Sequence, residues 1–242
     1  MLTPTPGPSD AAGFAATRWT LVLAAARGDA SSAANAALAE LCRAYWYPLY
    51  AYIRRRGHDA NAGEDLTQEF FARLLAADFL KGVAPDKGKF RSFLLAALKH
   101  FLANQRDHAQ AQKRGGGRAI LSLDAVGADS RFRLEPAHDL TPERLFERQW
   151  ALTLLGQVLD RLHAEFAAAG KQAIFAGLQK LLTADRERLH VAVELGMTEG
   201  AVKMAAHRMR RRYRALLRDE VAHTVASPAE IDDEIHYLLS CL

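Results

Sequence analysis

The stretch Arg186–Arg218, RERLHVAVELGMTEGAVKMAAHRMRRRYRALLR, decides how this chain is read. Leu195-Gly196-Met197-Thr198 separates two apolar periods. Glycine tolerates the positive φ of a tight turn, and a threonine hydroxyl accepts from an orphan amide at the start of the next helix. The first period is short. The second is long and puts Val202, Ala206, Met209, Tyr213 and Leu217 on one side of a helix. Lys203, His207, Arg210 and Arg214 recur at i, i+4, i+7 and i+11, with Arg211 and Arg218 alongside, so the cations are expected on the opposite face. A basic helix presented by a tight turn has the geometry to lie in a DNA major groove, where phosphate contacts position it and base edges specify. A solvated face, or a helix that meets an acidic protein, would carry the same stripe. The coincidence of turn, cap and stripe favours DNA.

Charge is unevenly spread around this stretch. The 242 residues carry a net +4, yet Arg186–Arg218 has nine Lys/Arg against three acids, while Asp219–Leu242 has six acids and no Lys or Arg. Half the residues are apolar, enough for a folded core, and the abundance of Ala and Leu with few β-branched runs predicts an all-α fold. Two cysteines, Cys42 and Cys241, make neither a disulfide framework nor a closed zinc site and fit a reducing compartment. No run approaches the ~18 apolar residues of a membrane span. The N-terminal MLTPTPGPSDAAG has neither a basic nor an apolar targeting segment, which predicts a flexible tail and a cytoplasmic protein.

Periodicity predicts two small helical domains joined by a flexible linker. After a tail at 1–13, residues 14–111 read as a four-helix module. It comprises a short helix at Trp19–Ala26, a long one with Leu38, Leu41, Tyr45, Leu49, Tyr52 and Ile53 apolar, Gly63–Ala76, and Phe90–His108. Residues 112–140, with Gly115-Gly116-Gly117 and no sustained period, read as the linker. Thr141-Pro142-Glu143 is a helix start: a capping hydroxyl, proline at the first position, and an acid at the positive end of the dipole. It opens a second module over 141–224. Residues 225–242 form an acidic amphipathic helix with Ile231, Ile235, Leu238 and Leu242 on one side.

Two further segments hold charged groups that bear on chemistry. Phe90–Arg118 offers Arg91, Lys99, Asn104, Arg106, Lys113, Arg114 and Arg118, and the loop before it adds Lys87 and Lys89. Cations beside aromatic rings can hold unstacked bases, although Phe93 and Phe101 fall on the apolar period and are expected in the core. Glu64–Phe71 presents carboxylates on an exposed helical face, as a partner surface or a solvated one. HExxH, phosphate-cradling glycine loops, GxSxG and paired-cysteine motifs are all missing, so no catalytic residue, metal or cofactor is expected.

Taken in order, these segments resemble bacterial RNA polymerase sigma factors of the extracytoplasmic-function subfamily of the sigma-70 family, over roughly Phe14–Arg218. DLTQEFFARLL (Asp65–Leu75) looks like the region 2 helix that docks on the β′ clamp helices. The resemblance implies core-polymerase contacts at Asp65, Gln68, Glu69, Phe70 and Arg73. FRSFLLAALKHFLANQRD (Phe90–Asp107) is similar to the helix that, with its preceding loop, captures the melted −10 element. That implies Lys87, Lys89, Arg91, Lys99, Asn104 and Arg106. VAVELGMTEGAVKMAAHRMRRRYRALL (Val191–Leu217) looks like region 4, which reads the −35 duplex, and implies Thr198, Glu199, Lys203, His207, Arg208, Arg210 and Arg211. The implied partners are core RNA polymerase (β′ clamp helices and β flap), promoter DNA, and an anti-sigma factor or regulatory kinase, with no membrane. The implied role is a non-enzymatic promoter-specificity subunit.

The chain departs from the family at His190, where an acid is usual, and at Ala201, Met204 and Ala205, where polar residues are common. Phosphate anchoring is therefore expected to outweigh base reading. The competing readings are a stand-alone helix-turn-helix regulator that dimerises through its last helix, and a sigma-like signalling adaptor. The acidic tail is expected either to fold over the basic helix or to cover apolar surface of the second module.

Overall fold

The computed structural model describes residues 32–75, 89–111, 127–135, 140–182, 188–225 and 227–242. The helix expected at Trp19–Ala26, Lys87, and Lys113, Arg114 and Arg118 lie outside them, as does the side chain of Arg106. Among the described residues all regular structure is helical: α1 (Ser32–Arg55), α2 (Ala60–Leu75), α3 (Phe90–Ala111), α4 (Ala128–Arg133), α5 (Pro142–Ala168), α6 (Gln172–Gln179), α7 (Arg188–Leu195), α8 (Glu199–Ala222) and, after a 3-10 turn at Pro228–Glu230, α9 (Ile231–Ser240). None of these helices is long and apolar enough to cross a membrane.

α1 is central to the first half. Tyr45, Trp46, Tyr47, Leu49, Tyr50, Ala51, Tyr52 and Ile53 are consecutive or nearly so and all buried, so this helix is enclosed on every side instead of showing one apolar stripe. α2, α4 and α5 supply the enclosure. Tyr45 stacks on Trp150 of α5 (6.1 Å between centroids) and meets Phe90 of α3 edge-on at 5.5 Å. Such ring pairs contribute about 0.5–1.5 kcal/mol each beyond the area they bury. Gly63 lets α2 cross α1 closely, since a Cβ there would come 2.8 Å from Cδ of Arg54 and 3.1 Å from the Tyr50 ring.

The segment read as a linker contains α4. Arg54 ion-pairs with Asp129 and stacks over Phe132 at 4.7 Å, while Arg131 lies over the Tyr47 ring at 3.7 Å. Six residues show no period to read; side-chain contacts with α1 fix this helix.

Thr141, Pro142 and Glu143 start α5 as the sequence predicts, with the Thr141 hydroxyl accepting from the Arg144 amide at 3.2 Å. At 27 residues the helix is about 40 Å long, and it serves both halves of the molecule. Its first turns pack on α1 and pair Glu143 with Lys99 of α3 (2.8 Å). Its last turns pack on α8, where Arg161 meets Asp219 (3.0 Å) and Glu220 (3.2 Å). α6 and α7 close against α8, and α9 lies on α8 and α5 with Ile231 and Leu238 buried.

Candidate nucleic-acid interface

The turn between α7 and α8 follows from its residues. Gly196 takes φ 61°, a left-handed conformation that costs a side-chain-bearing residue about 1–2 kcal/mol. The Met197 amide donates to the Ala192 carbonyl (2.9 Å) and the Gly196 amide to the Val193 carbonyl (3.2 Å), the paired bonds of a Schellman ending. Two residues later Thr198 stands extended (φ −71°, ψ 151°), and its hydroxyl accepts from the Ala201 amide at 3.2 Å. α7 ends and α8 begins within three residues, which fixes the angle between them.

α8 buries Val202, Ala206, Met209 and Leu217 as expected. Tyr213 is half-buried, its hydroxyl donating to the Leu155 carbonyl at 3.2 Å. Of the positions implied for duplex binding, Thr198, Glu199, Lys203, His207, Arg208 and Arg211 are exposed, as is Arg214.

Three arginines of α8, two of them (Arg210 and Arg218) from the expected basic face, are drawn elsewhere. Arg210 sits at the edge of the buried stripe and is half-buried. Its Nε donates to the Leu181 carbonyl (3.1 Å) just past the end of α6, where carbonyls lack helical partners. Arg212 bonds Glu165 of α5 at 2.8 Å, which holds that carboxyl below the usual range. Arg218 pairs with Asp232 of α9, with the same effect on Asp232. The exposed cations not drawn to an acid of another helix thus run from Lys203 to Arg214. Met204 is exposed beside them and offers a thioether where a polar group would read bases.

The start of α3 is arranged differently. Arg91 is 5 % exposed and Lys89 half-buried, and both ion-pair with Glu234 of α9, which is 0 % exposed. Arg91 also lies over the rings of Trp150 (5.0 Å) and Tyr237 (4.5 Å). Burial pushes the Tyr237 phenol up, aided by the hydrogen bond its hydroxyl donates to Glu147. Lys99 is paired with Glu143, an ion pair that holds the Glu143 carboxyl below its ordinary range. Among the six positions implied for −10 binding, Asn104 is exposed, Lys87 and the side chain of Arg106 lie outside the described residues, and Lys89, Arg91 and Lys99 are engaged by acids.

On α2 the structure brings Asp65, Gln68, Glu69 and Arg73 to one outer face, with Arg73 donating to Glu69 at 2.7 Å. Phe70 is a correction. It is 0 % exposed and packs on Phe101 of α3 at 5.7 Å, so it supports this face from behind and offers a partner nothing. Its spacing from Leu66 and Leu74, at i, i+4 and i+8, puts it on the same side of α2 as those apolar residues.

The ion pair that sequence reasoning missed left a signal. Glu234 lies on the apolar side of α9 with Ile231, Ile235 and Leu238, and Arg91 lies on the apolar side of α3 with Leu94 and Leu98. An acid and a cation each set into an apolar stripe are candidates for one another, since a buried charge needs a partner. No group of three metal-binding side chains occurs among the described residues. Comparison with known proteins returns no match to any family model, curated protein or solved structure.

Proposed function

We propose that this chain is a promoter-specificity subunit of bacterial RNA polymerase, of the extracytoplasmic-function sigma type, without catalytic chemistry of its own. The observation that carries the reading is the α7–α8 pair. A Schellman turn and a threonine cap set α8 so that Lys203, His207, Arg208 and Arg211 face solvent together. That is the arrangement a recognition helix needs against duplex phosphates.

In this reading α1–α3 form the −10 module and α6–α8 the −35 module, with α5 shared between them. The polar face of α2 (Asp65, Gln68, Glu69, Arg73) takes the polymerase clamp. The first turns of α8 take the −35 duplex, chiefly through phosphate because Ala201, Met204 and Ala205 give few hydrogen bonds to bases. α3 takes the unpaired −10 strand. A cytoplasmic location goes with this role.

Run-off transcription with purified core polymerase on a genomic promoter library tests it. New, specific start sites and co-elution with core enzyme are expected. Neither appearing would refute the proposal. Of the dimer surface that a stand-alone regulator would use, Ile231 and Leu238 are buried within the chain itself, Ile235 is half-buried and Leu242 is exposed.

A further inference from the structure

The basic residues at the start of α3 are closed off by an acid from the far end of the chain. Lys89 and Arg91 are 143–145 positions away from Glu234 in sequence, yet its carboxylate lies between them and is shielded from water. Trp150 and Tyr237 present rings to Arg91, and Tyr237 also presents its ring to Lys89 at 5.4 Å. A cleft of about 180 Å³ opens beside Arg91 between α3 and α5, with Ser92, Leu95, Lys99 and Glu147 in its walls. Two cations converging on one carboxylate, next to aromatic faces and an open cleft, are the parts list of a phosphodiester site.

We propose that Lys89 and Arg91 form a phosphate site for single-stranded nucleic acid, which Glu234 of α9 occupies in the free protein. α9 is then a competitor for the strand. The proposal rests on the reading of α3 as the strand-holding helix and adds how that helix is kept from binding without cause. α9 suits the part. It is a ten-residue helix that buries only Ile231, Glu234 and Leu238, and its acids Asp232 and Asp233 are exposed beside Glu234. Short helices with few buried apolar contacts open at lower free energy than the core they lie on. Of the two places expected for the tail, it covers apolar surface of α8 and α5 with Ile231 and Leu238, while its ion pair on α8 is with Arg218, near the C-terminal end of that helix, and Lys203, His207, Arg208 and Arg211 remain exposed.

The test is binding of a fluorescein-labelled oligothymidine strand, followed by anisotropy over a range of salt, to the full chain and to Glu234→Gln and Asp233→Asn. The two variants lose the same charge from the same helix. Glu234→Gln should bind roughly tenfold tighter or more, with a salt slope steeper by about 0.7 for each phosphate gained. Asp233→Asn should stay within about twofold of the parent, as an exposed, screened charge does. Equal affinity of the two variants overturns the competition.

Amide exchange on the unaltered chain gives a second readout that does not depend on a variant folding. Adding the strand should speed exchange across Ile231–Ser240, and unchanged exchange with the strand bound also overturns it. Failure of the functional reading looks different. The strand then competes with α9 as described but core polymerase gains no promoter activity, whereas a strand that binds no form of the protein at low salt overturns both.

Discussion

The two basic regions of this molecule carry the same residue types and opposite fates. On α8, Lys203, Arg208 and Arg211 stand in solvent, opposite a stripe of Val202, Ala206 and Met209. At the start of α3, Arg91 is buried and Lys89 half-buried, both against an acid from α9. Both regions read as basic in sequence. The difference lies in the helical register: the α8 cations fall away from the apolar stripe, whereas Arg91 falls on it. A charge on the apolar side must bring a partner with it, and here the partner is Glu234, similarly misplaced on its own helix. One region is open to a ligand, and the other must exchange one anion for another.

The comparison breaks most visibly in stability. Arg91→Ala leaves Glu234 buried against a half-buried lysine alone and should cost about 3–5 kcal/mol in urea unfolding. Arg91→Met combined with Glu234→Leu should recover most of that, since a packed apolar pair replaces a buried ion pair at little cost. Arg211→Ala should change stability by less than about 0.5 kcal/mol. Equal losses for Arg91→Ala and Arg211→Ala would erase the distinction between the regions.

The α8 side is sharpened by its turn. Gly196→Ala should cost about 1–2 kcal/mol through its left-handed backbone, and Thr198→Ala about 1 kcal/mol through the lost cap. Both should also weaken duplex binding, because they loosen the angle at which α8 is presented. Thermal melts and a duplex titration on the same samples check the two effects together.

A smaller effect concerns acid. Asp129, Glu143, Glu165 and Asp232 are all held below their ordinary range, first by hydrogen bonds from Arg54, Lys99, Arg212 and Arg218 respectively. Carboxyls lowered by folding contribute stability that is present above their unfolded values, near 4, and lost as pH falls through the folded ones. The melting temperature should therefore hold from pH 7 to about 5 and decline below about 4. Asp129→Asn should show a shallower decline than the parent; an identical pH profile would mean that the clasp of α4 on α1 contributes nothing.

What could be read from sequence was whatever local stereochemistry dictates. Gly196 and Thr198 carry their conformations with them, Thr141-Pro142 marks the start of α5, and Val202, Ala206 and Met209 recur at a helical period. What could not be read depends on partners distant in the chain. α4 is too short to show a period and is held by Arg54 and Tyr47. Arg210 was grouped with the exposed cations by its spacing, yet one carbonyl at the end of α6 turns it inward. The tail's acidity was plain, but its reach to Lys89 and Arg91 was not, and the place of Glu234 on the apolar side of α9 was the one available hint.

The most direct test of the account is the salt dependence of duplex binding, measured for the parent chain, for Lys203→Gln with Arg211→Gln, and for Lys89→Gln. The parent should bind weakly with a clear dependence on salt. The α8 double variant should lose about 0.9 from the slope of log K against log salt for each phosphate contact removed, close to two in all. Lys89→Gln should leave that slope unchanged, because its charge is already committed to Glu234. A slope that falls with Lys89→Gln, or that stays put without Lys203 and Arg211, would contradict the account.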